Sequence, residues 1–75
     1  MNCSSLLCPI SRKIMRDPVI LTCSGLSYER CCIEEWIREV GTDPESGLPL
    51  YDTRIMENPC LRGLIEAVVS MNLYL

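Results

Sequence analysis

The chain has 75 residues, and its seven basic and ten acidic side chains give a formal net charge of −3 at pH 7. This length allows one small domain, the 48% hydrophobic content is too high for a disordered segment, and the acidic balance argues against nucleic acid, whose phosphates require clustered Lys and Arg. No apolar run is long enough to span a membrane and the first residues lack the pattern of a secretory signal, so we expect a cytoplasmic or nuclear protein in a reducing compartment.

The first half of the chain predicts a loop followed by a β-hairpin. Pro18 disfavours a helix before it, which leaves residues 8–17 as a loop. Residues 19–22 are mostly β-branched and predict a strand. The turn-forming residues 23–25 lead into residues 26–28, which predict the returning strand.

A central helix follows the hairpin. Apolar residues recur at helical spacing over residues 29–40, namely at Ile33, Trp36, Ile37 and Val40. Gly41 supplies the expected stop, because glycine readily takes the left-handed conformation that ends many helices.

A second loop and a second helix complete the pattern. Residues 42–50 contain two prolines and a glycine, and residues 50–54 predict a short edge strand. Asn58 is a good N-cap and Pro59 suits the first helical position, so we predict a helix over residues 59–70. Its apolar stripe is expected to pack on the core: Leu61, Leu64, Ile65 and Val68.

The six cysteines allow three interpretations: disulfides, a metal site, or small buried side chains. Cys31 and Cys32 are adjacent on the predicted helix, which does not suit a disulfide framework. There is no Cys-x₂-Cys pair and no histidine, which does not suit structural zinc. We therefore favour free thiols, several of them buried.

Many landmarks appear in an order and spacing that resemble the U-box domain family. They are Cys8-Pro9-Ile10, Ile14-Met15, Asp17-Pro18-Val19, Gly25, Tyr28-Glu29-Arg30, Ile33, Trp36-Ile37, Asp43-Pro44, Pro49-Leu50, Asn58 and Leu61-Arg62. The resemblance implies a small α+β, zinc-free, RING-like fold: two loops around a β-hairpin and a central helix, with a C-terminal helix. We expect residues 1–75 to form one such domain, with its core at about 6–70.

The related RING finger is built around two zinc sites, and the resemblance shows why this chain should lack them. The corresponding positions are Cys8, Ser11, Glu29 and Cys32 in the first site, and Ser24, Leu26, Asp43 and Ser46 in the second. Serine is a poor zinc ligand and leucine is none, so neither metal nor another cofactor is expected. The resemblance implies a structural polar network instead, with the candidates Asp17, Ser24, Tyr28, Glu29, Arg30, Asp43 and Ser46.

The resemblance also implies a ubiquitin-protein ligase module with no catalytic residue of its own. Such a module docks a conjugating enzyme that carries ubiquitin as a thioester and brings it to a lysine of a protein substrate. The expected docking residues are Ile10 in the first loop, Trp36 on the central helix and Pro44 in the second loop, with Arg12 as a polar contact at the rim. Neither nucleic acid nor a membrane is expected as a partner.

One position departs from the family pattern. Where many active members carry a side-chain donor that favours the reactive conjugate, this chain has Gly47. A recruitment module with weak or lost ligase activity therefore remains an alternative, and so does a redox or metal protein that uses the cysteines. A homodimer, or contact with other domains of a longer protein, also stays open, and the apolar tail Leu73–Leu75 is a candidate for such a contact.

Overall fold

The computed structural model describes residues 6–71; the predictions for the tail Leu73–Leu75 and for residues 1–5 lie outside this range. The elements are β1 (Pro18–Leu21), β2 (Leu26–Glu29), α1 (Arg30–Glu39), β3 (Ile55–Glu57) and α2 (Pro59–Ser70). The strands form one antiparallel sheet in the order β2-β1-β3. The fold is thus α+β, as predicted, and no helix in the described range is long and apolar enough to cross a membrane.

The predicted hairpin is confirmed as the pair β1 and β2. Val19 lies opposite Tyr28, and Leu21 lies opposite Leu26. Gly25, at φ 76°, donates its N–H to the Leu21 carbonyl over 2.8 Å and closes the turn. Alternation along β1 points Val19 and Leu21 into the core, where both are fully buried.

The predicted edge strand at residues 50–54 is wrong, because the third strand lies at Ile55–Glu57 and pairs with β1. Residues 50–54 form no strand, although both ends of the segment are held by backbone bonds. The Leu50 N–H donates to the Gly41 carbonyl at 3.1 Å, and the Arg54 carbonyl accepts the N–H of Thr22, one residue beyond β1, at 3.1 Å. Within the segment, the Asp52 carboxylate accepts the Arg54 backbone N–H at 2.9 Å and turns the chain there.

Both predicted helices are confirmed. In α1, Ile33 is fully buried. Gly41, which follows the helix, lies at φ 78° and donates its N–H to the Trp36 carbonyl at 3.0 Å. In α2, the Asn58 side chain accepts the Leu61 N–H at 3.1 Å, as expected of an N-cap.

The packing of α2 corrects one expectation. Ile65 and Val68 are buried and Leu61 is half-buried, but Leu64 is 54% exposed. The apolar stripe of the sequence is wider than the face of α2 that packs against the rest of the domain, so Leu64 lies beside that contact.

One core joins all the elements. Its buried side chains come from one face of the β1–β2 hairpin, from both helices and from the two ends of the first loop region: Leu6, Cys8, Met15, Val19, Leu21, Tyr28, Ile33, Ile65 and Val68. Ile10 and Trp36 pack partly against this core, so the candidate docking residues rest on its surface.

Candidate functional site

The first loop, residues 8–13, is closed by its own backbone. The Cys8 N–H donates to the Lys13 carbonyl at 2.9 Å, and the Arg12 N–H donates to the Cys8 carbonyl at 2.7 Å. Arg12 sits at φ 64°, a left-handed conformation that is uncommon for a residue other than glycine. This tight closure leaves Ile10 half-buried near the tip of the loop.

The second loop, residues 41–50, is closed in a similar way. The Asp43 N–H donates to the Leu48 carbonyl and the Gly47 N–H donates to the Asp43 carbonyl, both at 2.8 Å. The Asp43 carboxylate accepts the Glu45 N–H at 2.9 Å. Pro44 therefore lies in a loop whose backbone polar groups are largely satisfied internally.

Trp36 links the central helix to the second loop. Its indole Nε1–H points to the Thr42 carbonyl at 2.8 Å and to the Thr42 hydroxyl at 3.2 Å. The ring is half-buried rather than enclosed, so one side stays open to solvent. The hydrogen bond fixes the direction in which the apolar part of the ring faces.

The four predicted docking residues fall into two neighbouring depressions. Ile10 and Trp36 line one groove, together with Cys32, Val40, Glu35 and Glu39. Arg12 and Pro44 line the other, together with Leu7, Cys8, Pro9, Tyr28 and Glu45. The first loop is the element that the two depressions share, because it contributes Ile10 to one and Pro9 and Arg12 to the other.

A charged cluster around Asp17 ties this surface to the rest of the domain. The Arg30 Nε lies 2.6 Å from one Asp17 carboxylate oxygen, and the Arg62 guanidinium contacts the other. Arg30 also contacts Glu57 at 3.0 Å. The cluster joins the end of the first loop region to α1, β3 and α2.

Glu29 holds the segment that leads into β1. Its two carboxylate oxygens accept the backbone N–H groups of Arg16 at 2.8 Å and of Asp17 at 2.7 Å. Its own N–H points to the Cys8 sulfur at 3.3 Å. Asp17, Glu29 and Arg30 therefore form a connected network beneath the first loop.

The other candidates for the polar network act locally or not at all. Ser24 and Ser46 accept backbone N–H groups two residues further along the chain, and Asp43 does the same.

The placement of Tyr28 in a polar network is wrong. Its side chain is fully buried and, among the described residues, its hydroxyl has no hydrogen-bond partner. Burial, followed by the charges of Asp43 and Glu45, raises the pKa of Tyr28 to about 12.

The Asp17 cluster predicts an acid-sensitive contribution to stability. The hydrogen bond from Arg30, followed by the one from Arg62, lowers the pKa of Asp17 below its usual 3.8. A carboxylate with a lowered folded-state pKa stabilises the fold above its unfolded pKa and loses that effect as the pH falls through the folded-state value. We expect Asp17→Asn to lower the free energy of unfolding at neutral pH, measured by urea denaturation.

The difference between Asp17→Asn and the unmodified chain should shrink as the pH falls through the lowered folded-state pKa of Asp17, because the carboxyl group then becomes neutral like the amide. Asp52 serves as a comparison: bonds from the Arg54 side chain and backbone lower its pKa to about 2, and the bond to a residue distant in sequence is the long one from the Thr22 hydroxyl, at 3.4 Å. A difference that stays constant down to acidic pH would contradict the assigned role of the Asp17 charge.

Cys8 and Cys32, two cysteines near the first loop, differ in the direction in which their thiol pKa is shifted. Burial alone would raise the pKa of the Cys8 thiol, but the backbone N–H groups of Glu29, Ser11 and Ile10 point to the sulfur and lower the pKa overall. Burial, followed by the neighbouring Cys8, raises the pKa of Cys32 to about 11.

The five cysteines at 8, 23, 31, 32 and 60 are free thiols. Within residues 6–71, no three Cys, Asp or Glu side chains are grouped so that they could hold a metal.

We expect folding to need neither metal nor disulfides. Thermal melting curves recorded with and without a strong chelator, and with and without a reductant, should overlap. A melting temperature that falls by roughly ten degrees with the chelator would correspond to more than 1 kcal/mol in a domain of this size and would mean that a metal contributes. A fall with the reductant alone would identify a disulfide.

Sequence reasoning missed several residues of the site. Thr42 orients Trp36, and the only sequence signal was a hydroxyl residue six positions after the tryptophan, just beyond the helix. Cys32, Glu35 and Glu39 line the groove with Trp36. Helical spacing could have indicated Cys32 and Glu39, which lie four residues before and three after it, but not the adjacent Glu35. The contact between Arg62 and Asp17 joins residues 45 positions apart, which no local pattern reveals.

Comparison with known proteins identifies the family of this domain. Residues 3–72 match the U-box domain. The chain is 52% identical over 67 residues to U-box domain-containing protein 13 of Arabidopsis thaliana. The aligned residues make up 87% of this chain and 10% of that protein. It is 49% identical over 60 residues to WD repeat, SAM and U-box domain-containing protein 1 of Danio rerio. Here the aligned residues make up 79% of this chain and 12% of that protein.

The chain therefore belongs to the U-box family, whose fold is RING-like without zinc. U-box domains are generally modules of ubiquitin-protein ligases that work with conjugating enzymes as part of longer proteins. The chain spans only about a tenth of the length of the curated relatives it matches.

Proposed function

We propose that this domain docks a ubiquitin-conjugating enzyme and promotes transfer of ubiquitin from its thioester to a substrate lysine. The observation that carries the proposal is the groove in which Ile10 and Trp36 lie side by side, between the closed first loop and the central helix. An apolar groove with fixed walls suits a small protein surface that binds weakly and exchanges fast.

The chemistry under this proposal is positional. The domain holds the charged conjugating enzyme so that its thioester meets a lysine amine more often, and it forms no covalent bond to ubiquitin. The thiols suit this role: Cys8 is fully buried, and the raised pKa of Cys32 keeps its thiol neutral near neutral pH. A neutral Cys32 forms part of an apolar groove wall and makes a poor nucleophile.

Gly47 favours a second candidate function, a recruitment module with little ligase activity. Its position has no side chain to contact the charged conjugate, and no heavy atom lies within 4 Å of where a Cβ would stand. Arg54 is a poor substitute, because its guanidinium is already bonded to Asp52 at 2.8 and 3.0 Å. Under this second function the domain docks a conjugating enzyme without activating it.

Two measurements test the proposal. NMR titration with a panel of uncharged conjugating enzymes should shift the signals of Ile10, Trp36 and Pro44. Discharge of a charged conjugating enzyme onto free lysine should then be faster with the domain than without it. Binding without faster discharge would select the recruitment function, and the absence of binding across the panel would overturn both functions.

Substitution of Gly47 measures the missing activation contact. If a donor at this position favours the reactive conjugate, Gly47→Arg should raise the discharge rate, because one charge-assisted hydrogen bond of about 1.5–3 kcal/mol corresponds to roughly ten- to a hundredfold. Binding of the uncharged enzyme should hardly change.

Gly47→Ala is the matched control. Gly47 lies at φ 76°, so both variants carry the same backbone strain, of about 1–2 kcal/mol, and both should melt at a lower temperature. Only the arginine supplies a donor. Equal discharge rates for the two variants would show that this position does not limit activity.

A further inference from the structure

A third depression lies where the first loop meets the start of α1. Two basic residues and two thiols line it, together with three other side chains: Lys13, Arg16, Cys31, Cys32, Ser11, Ile14 and Glu29. Lys13, Arg16 and Cys31 are exposed, and Cys31 is a free thiol. The depression therefore presents an open thiol beside two cationic side chains.

The charges of this depression are unbalanced, because two cations face one carboxylate. Neither Lys13 nor Arg16 makes an ion pair with any residue between positions 6 and 71. The carboxylate is that of Glu29, and both of its oxygens already accept backbone N–H groups. Cys31 lies in the first turn of α1, which has no acidic residue and no side-chain cap, so the positive end of the helix dipole adds to the cations. The depression favours an anionic molecule.

The two thiols of the depression differ in their access to solvent. Cys31 is exposed, whereas Cys32 is half-buried and packs against the core. Burial, followed by the neighbouring Cys8, raises the pKa of Cys32 to about 11 and keeps its thiol neutral near neutral pH. A reactive cysteine must be accessible and must form the thiolate, so Cys31 is the thiol of this site that can react with a molecule from solution.

We propose that Cys31 is a thiolation site for a small acidic disulfide, whose carboxylates are held by Lys13 and Arg16. The Cys31 thiolate attacks one sulfur of the disulfide, a new S–S bond forms as the old one breaks, and the leaving thiolate takes up the proton that Cys31 released. Cys31 is thereby oxidised, and the released half of the disulfide is reduced. Excess of the acidic thiol reverses the exchange. The inference does not depend on the proposed docking function.

The test compares three disulfides: oxidised glutathione, which is acidic, cystamine, which is basic, and hydroxyethyl disulfide, which is neutral and reports access alone. The reduced domain is incubated with each of them, the exchange is stopped with acid, and mass spectrometry of peptides gives the rate at each cysteine. Cys23 is the internal control, because it is also exposed but lines a depression with the carboxylates of Asp43 and Asp52.

The measured quantity is the rate with oxidised glutathione divided by the rate with cystamine. At low salt we expect this ratio to be roughly three- to tenfold higher at Cys31 than at Cys23, and the two ratios should converge at about 0.5 M salt, where exposed charges are screened. Lys13→Gln and Arg16→Gln should each lower the ratio at Cys31 and leave that at Cys23 nearly unchanged. Arg38→Gln removes an exposed charge of α1 outside the depression and should change neither ratio.

Three results would overturn the inference. If Cys31 and Cys23 show the same ratio at low salt, Cys31 is an ordinary exposed thiol and the depression does not select an acidic disulfide. If Arg38→Gln lowers the ratio at Cys31 as much as Arg16→Gln does, only the net charge of the domain matters. If Cys31 reacts with none of the three disulfides, it is not a thiolation site. Circular dichroism should show the native fold for every variant, since the substituted side chains are exposed.

Discussion

Ile10→Ala is expected to weaken binding of a conjugating enzyme by roughly thirtyfold or more, since loss of a central apolar anchor typically costs at least about 2 kcal/mol. Ile10 shares its groove with Trp36 and packs only partly against the core. The backbone bonds that close the first loop do not involve its side chain. The affinity should therefore fall while the fold is retained.

Ile14→Ala provides the matched control for this substitution. Ile14 is half-buried like Ile10 and packs partly against the same core, but it lines a different depression. We expect its substitution to lower stability and to leave the affinity of the folded domain nearly unchanged. If circular dichroism shows that Ile10→Ala unfolds the domain, Ile10 belongs to the core and its proposed role in docking is wrong.

The second large effect is expected at Ile65. Its side chain is 2% exposed, so Ile65→Ala should lower the free energy of unfolding by about 2–4 kcal/mol through lost burial and the cavity left behind. A domain of 75 residues has a total stability of only about 4–11 kcal/mol, so this loss is a large fraction of it. Urea denaturation monitored by circular dichroism measures the change.

Leu64→Ala, at the adjacent position, is the matched control for Ile65→Ala. It is 54% exposed, and Leu64→Ala should cost less than about 1 kcal/mol. The two variants remove a similar volume from adjacent positions of one helix, so propensity and charge effects are closely matched. Equal losses would show that α2 packs through a different face from the one described.

The elements that sequence reasoning found are those determined by local signals. The β-branched residues of β1, the glycine turn at Gly25 and the cap at Asn58 each depend on residues a few positions apart. The helical spacing around Trp36 placed this residue on the correct face of α1. Such signals act within one element and are visible without knowledge of the fold.

The errors came from choices that depend on distant parts of the chain. The third strand lies at Ile55–Glu57 rather than at residues 50–54, because pairing with β1 selects it. Leu64 and Ile65 fit the same helical stripe, and only the surface opposite α2 decides which of them is buried. The hydroxyl of Tyr28 suggested a polar role, whereas its position on the inner face of the sheet makes it a core residue.

The closure of both loops has an energetic consequence for any partner that binds between them. Each loop is held by its own backbone hydrogen bonds, and Arg12 is held at φ 64° before a partner arrives. Ordering a flexible loop on binding costs about 1–2 kcal/mol for each residue that becomes fixed. Because these residues are already fixed, little conformational entropy remains to be lost, and even a small contact area can give measurable affinity.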